Sequence, residues 1–389
     1  MTPPRLIALA AAAVLTGGVA IAATAGGGES TPSADRQVAP VTIATAVATP
    51  EPTAPTARPR PATRPMTPAP EHEPVSRQPL YPLPARPAYP HPCPPPPIKP
   101  GPPVKPPHPV VKAAQLPAPV PVPRHRHVDL APVRGKGMWL TTWRDTHLDV
   151  ARVVAQARAA GLQQLWVRTG GTYQGWYGGR FLRTLLPAAH AAGLDVIAWD
   201  YPTLSDPVAD AQRAARAIRG TFAGQRIDGF SADIEEIAEG TFDSARRVRV
   251  YLSRVRAVAG TLPVVATVLR PLDPHLSGRP YRAMAPYVDA FAPMVYWSCN
   301  EPGATALSAL KPLAKLRPVH LIGQSYDMGP EGGRHGLPTG REIWRFLDVA
   351  KRHGAIGASL YVYDQTRRPQ WRALAHYPWA ATRSALSGR

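Results

Sequence analysis

The sequence predicts an α/β chain, a (β/α)8 TIM barrel preceded by a signal peptide and a disordered proline-rich spacer. Three observations predict it. Of the 50 prolines, 32 lie between Thr31 and Pro132. From Gly137 onward, roughly 250 residues alternate short β-branched or aromatic runs with Ala/Arg/Leu-rich stretches of helical period, which means a parallel sheet of barrel size. Finally, those runs end in polar residues, as strands at the catalytic face of such a barrel do.

The N-terminal stretch "MTPPRLIALAAAAVLTGGVAIAATAGGG" sets one arginine before an apolar segment that ends in Ala-Thr-Ala. Small residues in this spacing are what a signal peptidase reads, which predicts cleavage after Ala25 and residues 1–25 as a signal peptide. An uncleaved membrane anchor is the alternative, because about 20 apolar residues span a bilayer. Either way the remainder is expected to be secreted or associated with the cell envelope. No cysteine follows the apolar segment, so a lipoprotein anchor is not indicated.

Residues 26–133, with runs such as "HPCPPPPIKPGPPVKPPHP", have few residues able to form a core and no amphipathic period. Such a segment stays extended and solvated. It reads as a spacer, leaving 134–389 for the barrel. Cys93 in the spacer and Cys299 in the folded part are the only cysteines. They are expected to stay unpaired, since a disulfide would require a disordered segment to dock in one place. The formal charge of +19 comes mostly from isolated arginines in the spacer and on helix faces. That scatter argues against nucleic acid and for a solvated surface, with electrostatic contact to an anionic envelope as the alternative.

The strand candidates are residues 137–143, 163–170, 195–202, 227–235, 263–270, 288–297, 318–327 and 356–364. Helices between them read clearly, as in "LDVARVVAQARAAG" and "TGREIWRFLDVAKRHG", each closing on a glycine. A doubly wound open sheet is the competing fold, but the Gly-rich phosphate turn it needs after the first strand is missing.

The fourth candidate strand ends in "SADIEE". Side chains alternate along a strand, so Ser231, Asp233 and Glu235 share one face, with the two acids about 6–7 Å apart along the backbone. Crowded buried carboxylates push one pKa up, and an acid kept protonated beside an ionised neighbour can protonate a glycosidic oxygen.

The stretch "DGFSADIE", Asp228 to Glu235, resembles the fourth-strand pattern Asp-Gly-x-Asp-x-Asp-x-Glu of the chitinase-like glycoside hydrolases (family eighteen), with Ser231 in place of the middle Asp. The resemblance implies that Glu235 is the general acid and that Asp233 orients the substrate's N-acetyl group, which itself attacks the sugar carbon. The sixth strand's "APMVYW" resembles that family's Met-x-Tyr-Asp, placing Met294 in the motif and implying that Tyr296 holds the N-acetyl oxygen; Trp297 stands where the Asp is expected. The simpler Asp-x-Glu is also similar to the barrel-type muramidases that cut peptidoglycan.

Other strand-end and loop residues are candidates for substrate binding. Trp143 near the mouth and Tyr173 and Trp176 in the loop after the second strand offer rings for sugar faces. Tyr326, Asp327, Tyr363, Asp200 and Asp364 offer hydroxyls or carboxylates, although a strand-end Asp also serves as a helix cap. Arg168 and Arg270 fit either substrate contact or neutralisation of the inner carboxylates. The histidines show no metal spacing, so neither a metal nor a cofactor is expected. The function expected is that of a secreted, monomeric glycoside hydrolase-like enzyme acting on a polysaccharide with N-acetylated sugars, of the peptidoglycan or chitin type. A catalytically inactive barrel binding cell-wall glycan is the second reading, and a polycation whose barrel is only a scaffold the third.

Overall fold

The structure is a computed structural model, which describes residues 109–122, 127–141, 148–235, 240–271, 279–331 and 333–379. The expected signal peptide, most of the expected spacer and Trp143 lie outside these residues. Among the described residues eight parallel strands form the barrel: β1 Gly135–Leu140, β2 Gln164–Gly171, β3 Asp195–Tyr201, β4 Gly229–Ile234, β5 Val264–Leu269, β6 Ala290–Val295, β7 His320–Gln324 and β8 Gly357–Tyr361. Each pairs in parallel with its sequence neighbours, and β1 pairs with both β2 and β8, which closes the barrel. The helices are α1 Val150–Ala159, α2 Gly179–Ala191, α3 Pro207–Arg219, α4 Ala245–Ala259, α5 Tyr281–Met284, α6 Pro302–Ala314, α7 Gly340–Arg352 and α8 Arg368–His376. One helix follows each strand, which is the (β/α)8 fold the sequence predicts.

Helix starts are fixed by side chains that satisfy the first free backbone N–H groups. Asp149 accepts from Ala151 and Arg152 at α1, and Asp206 accepts from Val208 and Ala209 at α3. Thr339 and Glu342 form a reciprocal capping box at α7.

Alternation along the strands divides the apolar residues into two cores. Trp139, Trp166, Ile197, Trp199, Val265, Ala290, Ala292, Met294 and Ile322 fill the barrel, with Trp139 stacked on Trp166 at 4.8 Å. Met138, Leu165, Val196, Ala198, Phe230, Ala232, Ile234 and Phe291 belong to the layer between sheet and helices. At the N-terminal end of the strands Val133 seals the interior, its carbonyl 2.8 Å from Nδ1 of His320. Burial pushes the His320 pKa down to about 4, so this ring is neutral and acts as core.

The expected spacer boundary at residue 133 moves. Residues 109–122 lie along the barrel, and Leu116 is buried. The amide of Val111 donates to the Ser205 carbonyl at 3.0 Å, and that of Val120 to Ser253 Oγ at 2.9 Å. Arginines of α4 take the carbonyls: Arg247 donates to Val111, Leu204 and Ser205, Arg246 to Leu116, and Arg254 to Ala118. Proline-rich backbone has few donors but a full set of carbonyl acceptors, and guanidinium groups match them. These arginines are therefore not all a solvated surface; Arg247 and Arg256 are buried. The cysteine expectation is corrected too. Cys299 is disulfide-bonded, and the chain's other cysteine, Cys93, lies outside the described residues. The docking that made a disulfide improbable on entropic grounds is present from Pro109 onward.

Two outcomes follow from these contacts. A chain beginning at His127 loses the Val111, Leu116 and Ala118 carbonyls that Arg247, Arg246 and Arg254 hold, a loss of about 2 kcal/mol, and is expected to melt roughly 4–8 °C below one beginning at residue 105; equal midpoints would show the docked segment to be passive. At the other end of the barrel, His190 of α2 lies 2.8 Å from Asp228 Oδ2 and 2.9 Å from Gln225 Oε1. Burial lowers its pKa, but the hydrogen bonds to Gln225 and Asp228 and the charges of Asp228 and Asp195 outweigh it, and the net shift is upward. A base whose folded pKa is raised contributes stability that is complete below its unfolded value near 6.5 and is lost as pH rises through the folded value. Thermal unfolding from pH 5 to 9 should show His190→Gln less stable than the parent at pH 5, with the gap closing toward pH 9.

Candidate active site

The mouth of the barrel is built where β3, β4, β6, β7 and β8 end. Ala232 and Ile234 sit in the helix-side layer, so Ser231, Asp233 and Glu235 project to the interior. Ser231 Oγ pairs with Thr267 Oγ1 at 2.8 Å, which satisfies both hydroxyls below the acids. Asp233 and Glu235 are 6% and 7% exposed, withdrawn from water at the top of this face. Burial pushes the Asp233 carboxyl up to about 7; the Arg168 cation opposes the shift and the Asp200 charge adds to it. Asp233 Oδ1 has no hydrogen-bond partner among the described residues. Tyr201 donates to Glu235 Oε2 at 3.1 Å. The Arg168 guanidinium lies 5.1 Å from the Trp199 ring and 5.5 Å from that of Tyr201, held by cation–π contact on the same inner surface.

Across the mouth, Tyr296, Tyr326 and Tyr361 pack together, with ring centroids 5.5–6.0 Å apart. Burial, followed by the neighbouring Tyr326 and Tyr361 and the charges of Asp233 and Glu235, holds the Tyr296 phenol well above its ordinary range, so it stays a hydrogen-bond donor. Tyr326 donates to Glu331 Oε2 at 3.0 Å, and Met294 lies at the top of the interior core.

Of the residues singled out from the sequence, Arg168, Asp233, Glu235, Met294, Tyr296 and Tyr326 come together here. Others point elsewhere. Asp200 is on the helix-facing side of β3, where Arg213 grips it through Nε and Nη2 at 2.9 and 2.8 Å. The same guanidinium holds Asp210, whose carboxylate also accepts from Thr172 and the Leu204 amide, so the pair locks the turns after β2 and β3 to α3. Trp297 is fully buried in the outer layer, 5.4 Å from Phe346 of α7, and is core instead of a sugar platform. Asp327 closes a turn by accepting from Gly329, while Tyr363 reaches Gln156 of α1 and packs on Trp371. Tyr173 and Trp176 are half-buried in the loop after β2; the Trp176 ring is 6.1 Å from Phe222 on the outer side. Arg270 follows β5, where burial lowers its pKa. Asp364, after β8, keeps a buried Oδ1 without a partner among the described residues. Trp199 and Tyr361 were not singled out, and Tyr201 only as a polar strand end beside Asp200. Counting by twos from the apolar Ile197 places Trp199 and Tyr201 on the interior face, so strand parity carries the signal for them.

The class that the described residues define is a closed (β/α)8 barrel, with two buried carboxylates at its C-terminal mouth. No family model and no curated protein matches the chain. Solved structures similar to it include a chitinase from Chromobacterium violaceum, 12% identical over 64% of this chain and 100% of that one, with a TM-score of 0.48. A chitinase from Rhizomucor miehei is 13% identical over 62% and 99%, with a TM-score of 0.47. The glycoside hydrolase domain of PgaB from Bordetella bronchiseptica is 11% identical over 62% and 98%, with a TM-score of 0.46. Likeness at this level concerns the barrel and says nothing of the reaction.

The raised Asp233 pKa has a thermodynamic sign. An acid whose folded pKa lies above its unfolded value near 3.9 leaves stability intact below that value and diminishes it as pH rises through about 7. Asp233→Asn, which cannot ionise, is expected to melt higher than the parent at pH 8 and close to it at pH 4. Calorimetry at the two pH values checks this, and a variant that melts lower at pH 8 would show Asp233 to be a stabilising ion-pair partner instead.

Proposed function

We propose that the protein is a glycoside hydrolase-like enzyme, exported from the cytoplasm, that cleaves a polysaccharide with N-acetylated sugars of the peptidoglycan or chitin type. The observation that carries the proposal is the pair Asp233 and Glu235, buried together on the inner face of β4 at the mouth of a closed barrel. In this reading Glu235 protonates the leaving glycosidic oxygen. Asp233 orients the N-acetyl group whose carbonyl oxygen attacks the sugar carbon, and the Tyr296 hydroxyl donates to that oxygen. Burial keeps a proton on Asp233 up to about neutral pH, so one of the two neighbouring carboxyls is uncharged there. Tyr201 steadies the Glu235 carboxyl by donating to Oε2.

A barrel that binds cell-wall glycan without cutting it is favoured by one feature. Ser231, paired with Thr267, stands where the related pattern carries a third acid, and the pair below the carboxylates is therefore uncharged. Hydrolysis separates the two readings. Release of reducing ends from chitin oligosaccharides and peptidoglycan by the full chain is expected, and Glu235→Gln is expected to lower turnover by a factor of about 10²–10⁴ with sugar affinity largely kept. No hydrolysis by the parent, or equal hydrolysis by the variant, would remove the catalytic assignment.

A further inference from the structure

On the outer flank of the barrel, the loop after β2 turns back as a two-residue strand, Gly175–Trp176, antiparallel to Gly170 and Gly171. It faces the solvent side of α3 across a cavity of about 210 Å³ lined by Gly175, Trp176, Ala209, Gln212, Arg213 and Arg216. The helix contributes positions 209, 212, 213 and 216, one stripe at helical spacing, and Ala209, with its short side chain, keeps the groove open. The wall is stiff. Arg213 is fixed by Asp200 and Asp210, so that it presents its stem, and Trp176 is braced by Phe222. Gly175 takes φ +68°, and a Cβ there would meet nothing within 4 Å, so the strand's turn leaves free space beside the indole. Gln212 and Arg216 are exposed, one turn apart, and among the described residues neither has a hydrogen bond or ion pair.

We infer that this groove is a second carbohydrate-binding site, taking one pyranose ring of a polysaccharide outside the mouth. An indole offers an apolar plane to the C–H face of a sugar, and an amide and a guanidinium beside it offer donors for ring hydroxyls and an acyl oxygen. The cavity is below the size of a typical small-molecule pocket and suits a single sugar unit of a chain that continues at both ends. Its place joins it to the mouth. Trp176 pairs with Gly170, and the adjacent Gly171 pairs with Tyr201, the residue that donates to Glu235. A polymer seated on Trp176 is thus separated from the carboxylates of β4 by the two strands β2 and β3. The inference rests on the polysaccharide reading of the mouth and adds to it a site that retains the polymer.

The test uses the full chain carrying Glu235→Gln, so that polymer is bound and not consumed, with Trp176→Ala or Ala209→Phe added. The first removes the stacking plane and the second fills the groove from an exposed helix position. Neither changes the charge, so attraction of the basic chain to an anionic polymer is the same in all forms. Depletion from solution by insoluble chitin and by peptidoglycan sacculi is measured. In parallel, the two groove variants are made in the parent chain and assayed for hydrolysis of a soluble chitin disaccharide derivative, too short to reach the groove. Each groove variant is expected to bind the insoluble polymers about five- to tenfold more weakly while hydrolysing the soluble substrate at the parental rate. Unchanged retention by Ala209→Phe overturns the inference while leaving the mouth's function standing. No retention of the Glu235→Gln chain on either polymer also overturns it, and hydrolysis of the soluble substrate by the parent then shows whether the mouth's function survives.

Discussion

Strand parity in a closed parallel barrel is the constraint on which the rest of the molecule depends. Adjacent residues of one strand face different media: the first lies in a narrow interior that opens at one end, and the second under the helices. Asp233 and Glu235 take the interior and Ile234 the helix layer. Tyr201 meets a carboxylate while its neighbour Asp200 meets an arginine of α3. Tyr296 joins the tyrosine group at the mouth, and Trp297, one residue on, is core. A shift of one residue in any strand would exchange these roles.

Burying several acids near one another needs compensation, and the two acidic groups find it differently. On the helix side Asp200 and Asp210 share one guanidinium in fixed geometry, with Thr172 and a backbone amide completing the shell. Breaking such a group exposes an unpaired buried charge, so it is rigid. At the mouth Arg168 opposes the desolvation of Asp233 without cancelling it, and one carboxylate oxygen has no partner among the described residues. The fully compensated group holds the two turns that border the incompletely compensated one. Rigidity is concentrated in the helix-side group, and the perturbed pKa at the mouth.

The barrel was legible because eight apolar runs at regular spacing admit few other folds, and the β4 carboxylates because period-two alternation placed them on one face. The strand-end rule was too coarse elsewhere. It selected Asp200 for being polar at an end and took no account of which face Ile197 had already assigned. The docked segment 109–122 was hidden for another reason: its composition is that of a solvated polyproline chain, and its attachment depends on Arg246, Arg247 and Arg254, more than 120 positions downstream. Local composition cannot report a partner so far away. The Cys299 disulfide was missed through the same assumption that nothing before residue 134 docks.

The path of that segment also fixes a direction. Val111 meets Ser205 in the turn after β3, the strand whose end carries Tyr201, and from there the chain descends along α4 to Ser253 and reaches β1 from the far side. The polypeptide therefore arrives at the barrel on the same side as the carboxylates.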